Sequence, residues 1–565
     1  MSTILSYPAI RRKLLSSFAL VALAVPGLSH GQIVITKSPV IGSSNPLSAE
    51  PLVPRPSTRR CIVHLFTDQE FADYSAKTFN YVPPPNCPGP WSKVVFTADF
   101  TVTKGVQYDR TASIYLGHAN IYYGTTSEPG TTLSPSWHVE RDVTDLSALF
   151  HSPQSGEADI YNIVNSTYTG IIYANAELQF YAASDEFPAP VTPDVVVPLP
   201  DAAGGAALLS TTASQLTQTV TLPTNVERAY LDVIAQSQSD DEFWYTCVPN
   251  NVTGPLESCG NTAFRETEIS IDGTPAGVAP VYPWIYTGGI DPFLWIPLPG
   301  VQTLDFKPYR VDLTPFASLF SDGKSHEVAL SVFNADSYFL ATANLLAYTD
   351  KGTNAVTGRV TVDTLTPAPY PEVVEDLDLD ASGNGTATVS VTSARKFDIS
   401  GYVNTSHCLV VTTVAQNVNF SNDQKFTLSD TEYVQAITQS TTVYASTTTK
   451  SPTGTTVDTA TYLYPFSITI NVQVAADGSE TQTTTSDQTY GAYLRGGTAG
   501  DTPLFADDEE VKTTDTLNFN SSGDFTGNTG NTSTATDSQW SVADGGYYRG
   551  LTSSGGVLTG ISDKP

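Results

Sequence analysis

Asp142-Val143-Thr144-Asp145-Leu146-Ser147-Ala148-Leu149-Phe150 and Asp312-Leu313-Thr314-Pro315-Phe316-Ala317-Ser318-Leu319-Phe320 are two copies of one pattern. Each sets an Asp and a Thr ahead of an apolar turn, and each is followed by a Gly (Gly156, Gly323) and a strand-like run. Upstream, Arg110-Thr111-Ala112-Ser113-Ile114-Tyr115-Leu116-Gly117 parallels Arg265-Glu266-Thr267-Glu268-Ile269-Ser270-Ile271-Asp272-Gly273. Strand, Gly turn, insertion, Asp-headed turn and strand occur twice in the same order, which marks an internal repeat. An Asp carboxylate accepts amides freed at the start of a helical turn, so Asp142 and Asp312 read as caps rather than as catalytic groups.

The runs around the repeat are strands. Residues 94–102 are β-branched and partly alternating, 113–116 end at Gly117, and 171–181 alternate over their second half. Gly, Pro, Asn and Asp break the runs, as in antiparallel sheets. Helix is expected only as short turns near 144–150 and 314–320. The fold class expected is all-β: two tandem jelly-roll-like β-sandwiches followed by a further β-rich C-terminal domain. The boundaries expected are a signal peptide over 1–31, an irregular proline-containing leader over 32–60, a first sandwich over 61–190, a linker over 191–205, a second sandwich over 206–355, and a Ser/Thr-rich domain over 356–565. The end of that domain, 516–565, reads as loosely ordered.

Residues 1–31 have the form of a signal peptide. Arg11-Arg12-Lys13 precede an apolar stretch, 14–28, that is too short to span a bilayer, and cleavage is expected before Gln32. An ordinary secretory signal fits better than a twin-arginine one. The expected location is secreted or periplasmic, and no later stretch is a membrane-span candidate. Export permits disulfides. Cys61–Cys87 and Cys247–Cys259 are the local pairings, although four cysteines allow three connectivities. Cys408 is left over and reads as an inert thiol. With 57 acids against 27 bases and a formal net charge of −30, the chain lacks the basic face that nucleic-acid binding needs.

The chemistry-bearing stretch is Asp240-Asp241-Glu242-Phe243-Trp244-Tyr245, followed by Phe264-Arg265-Glu266 and Ile285-Tyr286-Thr287-Gly288-Gly289. Aromatic faces stack on sugar rings, and carboxylates activate water or hold hydroxyls. Nucleophile and metal motifs are missing. The one Gly-x-Ser-x-Gly, at 27–31, falls in the signal segment. His64, His118, His138, His151, His326 and His407 are not spaced as ligand pairs. Asp376-x-Asp378-x-Asp380 has Ala381 where a calcium loop needs Gly, and reads as a solvated acidic loop. No cofactor and no metal are expected.

Taken together, Asp241-Glu242-Phe243-Trp244-Tyr245, Phe264-Arg265-Glu266, Ile271-Asp272-Gly273, Ile285-Tyr286-Thr287-Gly288-Gly289-Ile290, Pro292 and Trp295 resemble the peptide-N-glycanase A family. These are the acidic peptide-N4-(N-acetyl-β-glucosaminyl)asparagine amidases, which include bacterial acid-active members. Asp312-Leu313-Thr314-Pro315-Phe316, Asp322-Gly323-Lys324 and His326 continue the resemblance. So do Ile114-Tyr115-Leu116-Gly117, Ser127-Glu128-Pro129, Val139-Glu140-Arg141-Asp142 and Asn165-Ser166-Thr167-Tyr168-Thr169-Gly170 in the first sandwich. It covers roughly residues 60–350, and the Cys247–Cys259 segment departs from it.

The resemblance implies hydrolysis of the amide between Asn and the first N-acetylglucosamine of an N-glycan, at acidic pH and with tolerance of core fucose. The expected partners are N-glycosylated peptides and denatured glycoproteins. Amide hydrolysis needs an activated water, a stabilised oxyanion and a proton for the leaving amine. The expected division puts Asp241 or Glu242 on the water and Glu266 or Glu128 as the protonated acid. Arg265 would polarise the carbonyl or orient a carboxylate. Trp244, Tyr286 and Trp295, with Tyr245 beside them, would contact the chitobiose core. The competing readings are a chitobiose-cleaving glycoside hydrolase and a non-catalytic glycan-binding jelly roll.

Overall fold

The computed structural model describes residues 38–564. The expected signal segment lies outside the described residues.

Eight strands form the first sandwich: β1 (Arg60–Phe71), β2 (Lys77–Tyr81), β3 (Trp91–Val102), β4 (Thr111–Leu116), β5 (Ala119–Thr125), β6 (Ser136–Asp142), β7 (Gln154–Asp159) and β8 (Ile172–Ala182). One sheet runs β1-β8-β3-β6 and the other β2-β7-β4-β5. Between them lies a core that includes Phe96, Phe100, Tyr122, Trp137 and Phe180. The Cys61–Cys87 disulfide joins β1 to the loop before β3.

The second sandwich starts inside the segment expected to be a linker. Residues 191–205 contain β9 (Val195–Leu199), whose Val-rich run finds an unpaired edge and bonds to residues 343–347. Then come β10 (Ala207–Leu209), β11 (Leu216–Val220), β12 (Val226–Gln238), β13 (Glu266–Ile271), β14 (Thr274–Pro280), β15 (Tyr309–Asp312), β16 (His326–Phe333) and β17 (Tyr338–Thr349). Their sheets run β10-β17-β12-β15 and β11-β16-β13-β14. Numbered from β10, this is the order of the first sandwich, so the two are jelly rolls of one topology. The repeated Asp-headed turn follows the sixth strand of each. Asp142 Oδ1 accepts the Thr144 amide at 3.0 Å, and Asp312 Oδ1 accepts the Thr314 amide at 2.9 Å.

Residues 357–564 form an 11-stranded antiparallel sheet. Hairpin-linked strands of 20 and 21 residues, such as Gly385–Asn404 and Leu409–Ser429, make its centre. Burial alternates along them, so one face is dry and the other wet. The dry face has no separate core: Phe397, Ile399, Phe420, Phe466 and Ile468 belong to the core of the second sandwich. The end of the chain, expected to be loose from 516 onward, is ordered strand. Thr502–Phe519, Phe525–Ser541, Gly545–Ser554 and Val557–Lys564 complete the sheet, because alternating Thr and Ser suit strands with one solvated face.

Residues 38–59 carry no strand but are tied down. Gly42 donates to Leu558 O at 2.8 Å, and the Leu558 amide donates to Ser43 O at 2.9 Å. Among the described residues no helix is long and apolar enough to cross a membrane, and no group of three potential ligands could hold a metal ion.

Candidate active site

Two jelly rolls placed side by side bring loop ends of both together. From the first come Asp109, just before β4, and Glu128, just after β5. From the second come Glu242, after β12, and the turn at Gly288. Glu128 Oε1 accepts the Asp109 amide at 3.3 Å, and Asp109 Oδ2 accepts the Gly288 amide at 3.1 Å. The fit at Gly288 is tight: a Cβ there would lie 2.2 Å from Glu128 Oε1 and 3.0 Å from Asp109 Oδ1. Asp109 and Glu128 are half-buried at the mouth. Glu242 lies behind them, buried, and its Oε1 has no hydrogen-bond partner.

The three carboxyls share one electrostatic environment. Burial raises the Glu242 carboxyl well above its usual range, and the Asp109 and Glu128 charges raise it further. Burial, then the Asp109 charge, push Glu128 up to about 8, against the Asp109 amide bond and the Arg110 charge. Like charges in one cleft cannot all ionise, so Glu128 and Glu242 are held toward their protonated forms. Arg110 is anchored through Nη2 to Gln107 Oε1 at 2.6 Å. The Tyr286 hydroxyl donates to Ser237 O, and burial keeps it protonated beside Glu242.

Of the expected catalytic residues, Glu242 and Glu128 meet here and two others do not. Asp241 is fully buried and structural. Its Oδ1 accepts Arg265 Nε at 3.1 Å and Nη2 at 2.8 Å, while Oδ2 accepts the amides of Asp336 at 2.9 Å and Ser337 at 2.8 Å. Four donors fill the four lone-pair positions of a carboxylate, so none remains for water. Arg265 is likewise consumed, donating through Nη1 to Asn261 O, Thr262 O and Phe264 O. It fastens a loop and does not polarise a substrate carbonyl. Glu266 turns away toward the C-terminal sheet, where Arg395 Nη1 donates to it at 2.8 Å. Burial raises its carboxyl to about 7, with Arg395 opposing.

The expected stacking aromatics are also reassigned. Trp244, Tyr245, Tyr286 and Trp295 are all buried. Trp244 packs on Phe420, and Tyr245 meets Phe466 edge-on with centroids 5.0 Å apart. Trp295 Nε1 donates to Gly289 O at 2.9 Å. Aromatic residues close to carboxylates in sequence look like a sugar platform, but here the C-terminal sheet covers Trp244 and Tyr245, and Tyr286 packs on Phe306. Side-chain amides of that sheet also hold the loop's backbone. Asn422 donates to Tyr245 O, Gln435 to Thr246 O and Gln424 to Cys247 O, at 2.9, 2.8 and 2.9 Å. The Cys247–Cys259 disulfide closes the same loop. Cys408 is a free, half-buried thiol.

Asp109 escaped the sequence reading. The signal available was its place beside Arg110, at the head of the first copy of the repeated strand.

The model of the family described as peptide N-acetyl-beta-D-glucosaminyl asparaginase amidase A matches residues 51–365. Peptide-N4-(N-acetyl-beta-glucosaminyl)asparagine amidase A of Prunus dulcis is 29% identical over 366 residues, which are 61% of this chain and 62% of that protein. The chain thus spans less than two thirds of the length of that relative. Two solved structures of PNGF-II superpose with TM-scores of 0.36 and 0.35 at 12% identity. Each covers 52% of this chain, and they are matched over 66% and 65% of their own lengths. With the matched region covering both jelly rolls, this chain belongs to the peptide N-acetyl-beta-D-glucosaminyl asparaginase amidase A family.

Proposed function

We propose that the protein is an exported amidase that hydrolyses the bond between an Asn side chain and the first N-acetylglucosamine of an N-glycan. Its substrates are glycopeptides and unfolded glycoproteins, core-fucosylated ones included, and it works at acidic pH. Water adds to the side-chain carbonyl carbon, the carbon–nitrogen bond breaks, and the products are a peptide bearing Asp and a glycosylamine.

One observation carries this reading: Asp109, Glu128 and Glu242 come from two jelly rolls and converge at Gly288. Asp109, which accepts the Gly288 amide, is the carboxylate that takes the proton from water. Glu128, held protonated up to about 8, delivers a proton to the leaving nitrogen. Glu242 stays protonated within electrostatic reach of Asp109 and Glu128, and its Oε1 is unpartnered.

The test is incubation of the mature protein with an N-glycopeptide at pH about 3 to 5, where Glu128 and Glu242 both keep their protons. The peptide is then read by mass spectrometry. A sugar-free peptide with Asp at the former Asn is expected. A retained N-acetylhexosamine would instead make the enzyme a glycosidase, and an untouched peptide would leave only binding.

A further inference from the structure

With the expected stacking aromatics buried, a different pair is left open to solvent. Tyr74 and Tyr161 are 65% and 40% exposed, yet their rings stack with centroids 5.8 Å apart and planes within 13°. The pair is built. Asn162 donates through its amide to Asp73 O at 3.1 Å and through Nδ2 to Phe71 O at 3.0 Å, fixing the loop of one ring to the loop of the other. Lys77 Nζ and the Ser75 amide hold Asp73 Oδ1 at 2.7 and 3.0 Å. Two large apolar faces fixed in water carry no evident packing role for the sandwich.

A buried acceptor lies beside them. Asp159 ends β7, is 6% exposed, and its Oδ1 has no hydrogen-bond partner. Gly205 forms a bare wall against it: a Cβ there would lie 2.9 Å from Asp159 Oδ2. Burial raises Asp159 to about 7, the charges of Glu157 and Asp201 add to the effect, and a hydrogen bond with the Tyr161 side chain opposes it, leaving Oδ1 free. The pair lies within electrostatic reach of the active site. Tyr338 feels both the Tyr74 hydroxyl and the Glu242 carboxyl, and the buried Tyr123 feels Asp159, Tyr338 and Tyr286 together.

Resting on the amidase reading, we propose that Tyr74 and Tyr161, with Asp159 beside them, form a subsite for a neutral sugar ring of the glycan beyond the first N-acetylglucosamine. The chemistry selects that ligand. Aromatic faces bind the apolar face of a sugar ring, and carboxyls accept from its hydroxyls. Glu157, Asp159 and Asp201 offer no positive charge to an anionic ligand. A peptide has few hydroxyl donors to offer the Asp159 carboxyl.

The experiment compares two substrates: a glycopeptide with a neutral, hexose-bearing glycan, and the same peptide with a single N-acetylglucosamine. In the Tyr74→Ala/Tyr161→Ala variant, KM for the long glycan should rise about 10-fold with kcat within about twofold, while both constants for the short substrate hold. A KM rise equal on both substrates, or one that follows peptide length, would overturn the subsite. Because both rings are exposed, folding is not at stake. Saturation-transfer NMR with a free neutral oligosaccharide needs no turnover, so it still reads the subsite if the amidase reading fails. Transfer to the sugar should be seen in the native protein and lost in the Tyr74→Ala variant. Equal transfer in both, or tighter binding of a sialylated glycan than of the neutral one, would count against the proposal.

Discussion

Asp241 and Glu242 are adjacent, both buried, and opposite in state: the Asp241 carboxylate accepts four hydrogen bonds, while Glu242 Oε1 accepts none. The first ties the loop to Arg265 and to the turn before β17. The second faces the carboxyls of the other jelly roll.

That contrast separates stability from chemistry. Asp241→Asn should destabilise by about 3–5 kcal/mol, because it leaves the Arg265 charge buried and uncompensated. Glu242→Gln should leave the melting temperature unchanged or raised while kcat falls, the loss staying below the roughly 10²–10⁴-fold expected on removing the acid Glu128. Thermal unfolding and single-substrate kinetics on the two variants check the assignment. Equal loss of stability in both would refute it.

Gly288 is a steric requirement of the site. Gly288→Ala places a methyl carbon 2.2 Å from the present position of Glu128 Oε1, and the carboxyl must move. We expect kcat/KM to fall by about 100-fold with circular dichroism unchanged, since a displacement near 1 Å costs about that much in catalysis. Activity near that of the native protein would show that the Asp109–Glu128–Gly288 contact is incidental.

The alkaline limb of the pH–rate profile follows from Glu128. Its carboxyl, pushed up to about 8 by burial and by Asp109, must carry a proton to protonate the leaving nitrogen. Activity should therefore extend from acidic pH through neutrality and decline only as pH rises through about 8. In an Asp109→Asn variant the limb should move to lower pH, because the charge that helps raise Glu128 is gone. A limb that stays in place in this variant would remove Glu128 from the role of acid.

Stability should be greatest in acid. Where the C-terminal sheet meets the leader and the second sandwich, Glu509 stands directly opposite Asp537, with Asp507 on the same strand as Glu509. Burial raises Asp507 to about 7 and Asp537 to about 9, and lifts Glu509 well above its usual range. Glu50 from the leader and Asp508 add negative charge, and Lys307 opposes it. Asp291, raised to about 8 by burial and by Asp515, forms a second such pair. A carboxyl whose pKa is raised on folding binds protons in the folded state that the unfolded chain has already released. Its favourable contribution is complete below about pH 4 and is lost as pH climbs toward 9. Glu140 acts in the opposite sense. His138 and Arg55 outweigh burial and hold it near 2, so its contribution is lost only in stronger acid. The melting temperature should peak near pH 4 to 5 and drop by at least about 5 °C at pH 8. Asp537→Asn should recover part of that drop at pH 8 and change little at pH 4. A flat profile would contradict the buried-acid account.

The jelly-roll pair was legible because a period of the sequence encodes it: the turns at Asp142 and Asp312 follow the sixth strand of each sandwich. Glu242 was legible because acids beside aromatic residues stand out in a chain that is only 15% charged, whereas Glu128 entered through the family resemblance. What could not be read was direction. Asp241 and Glu242 have the same chemistry on paper, and only the position of Arg265 decides which of them is consumed. Trp244 and Trp295 looked like sugar platforms because nothing in their own stretch of sequence discloses a sheet, encoded far downstream, that covers them. Asp109 was hidden for a related reason: the Gly288 amide that its side chain accepts lies in the other jelly roll.

The hydrogen bonds between Gly42–Ser43 and Leu558 join the leader to the outermost strand of the large sheet. The Tyr547 hydroxyl adds a bond to Ala49 O at 2.8 Å. A sheet edge left bare is a template for pairing with another molecule. Here the two extremities of the described chain shield each other. A protease nick in the leader would therefore uncover an adhesive border at the opposite end of the sequence, and self-association, rather than loss of catalysis, is the first failure such a cut would produce.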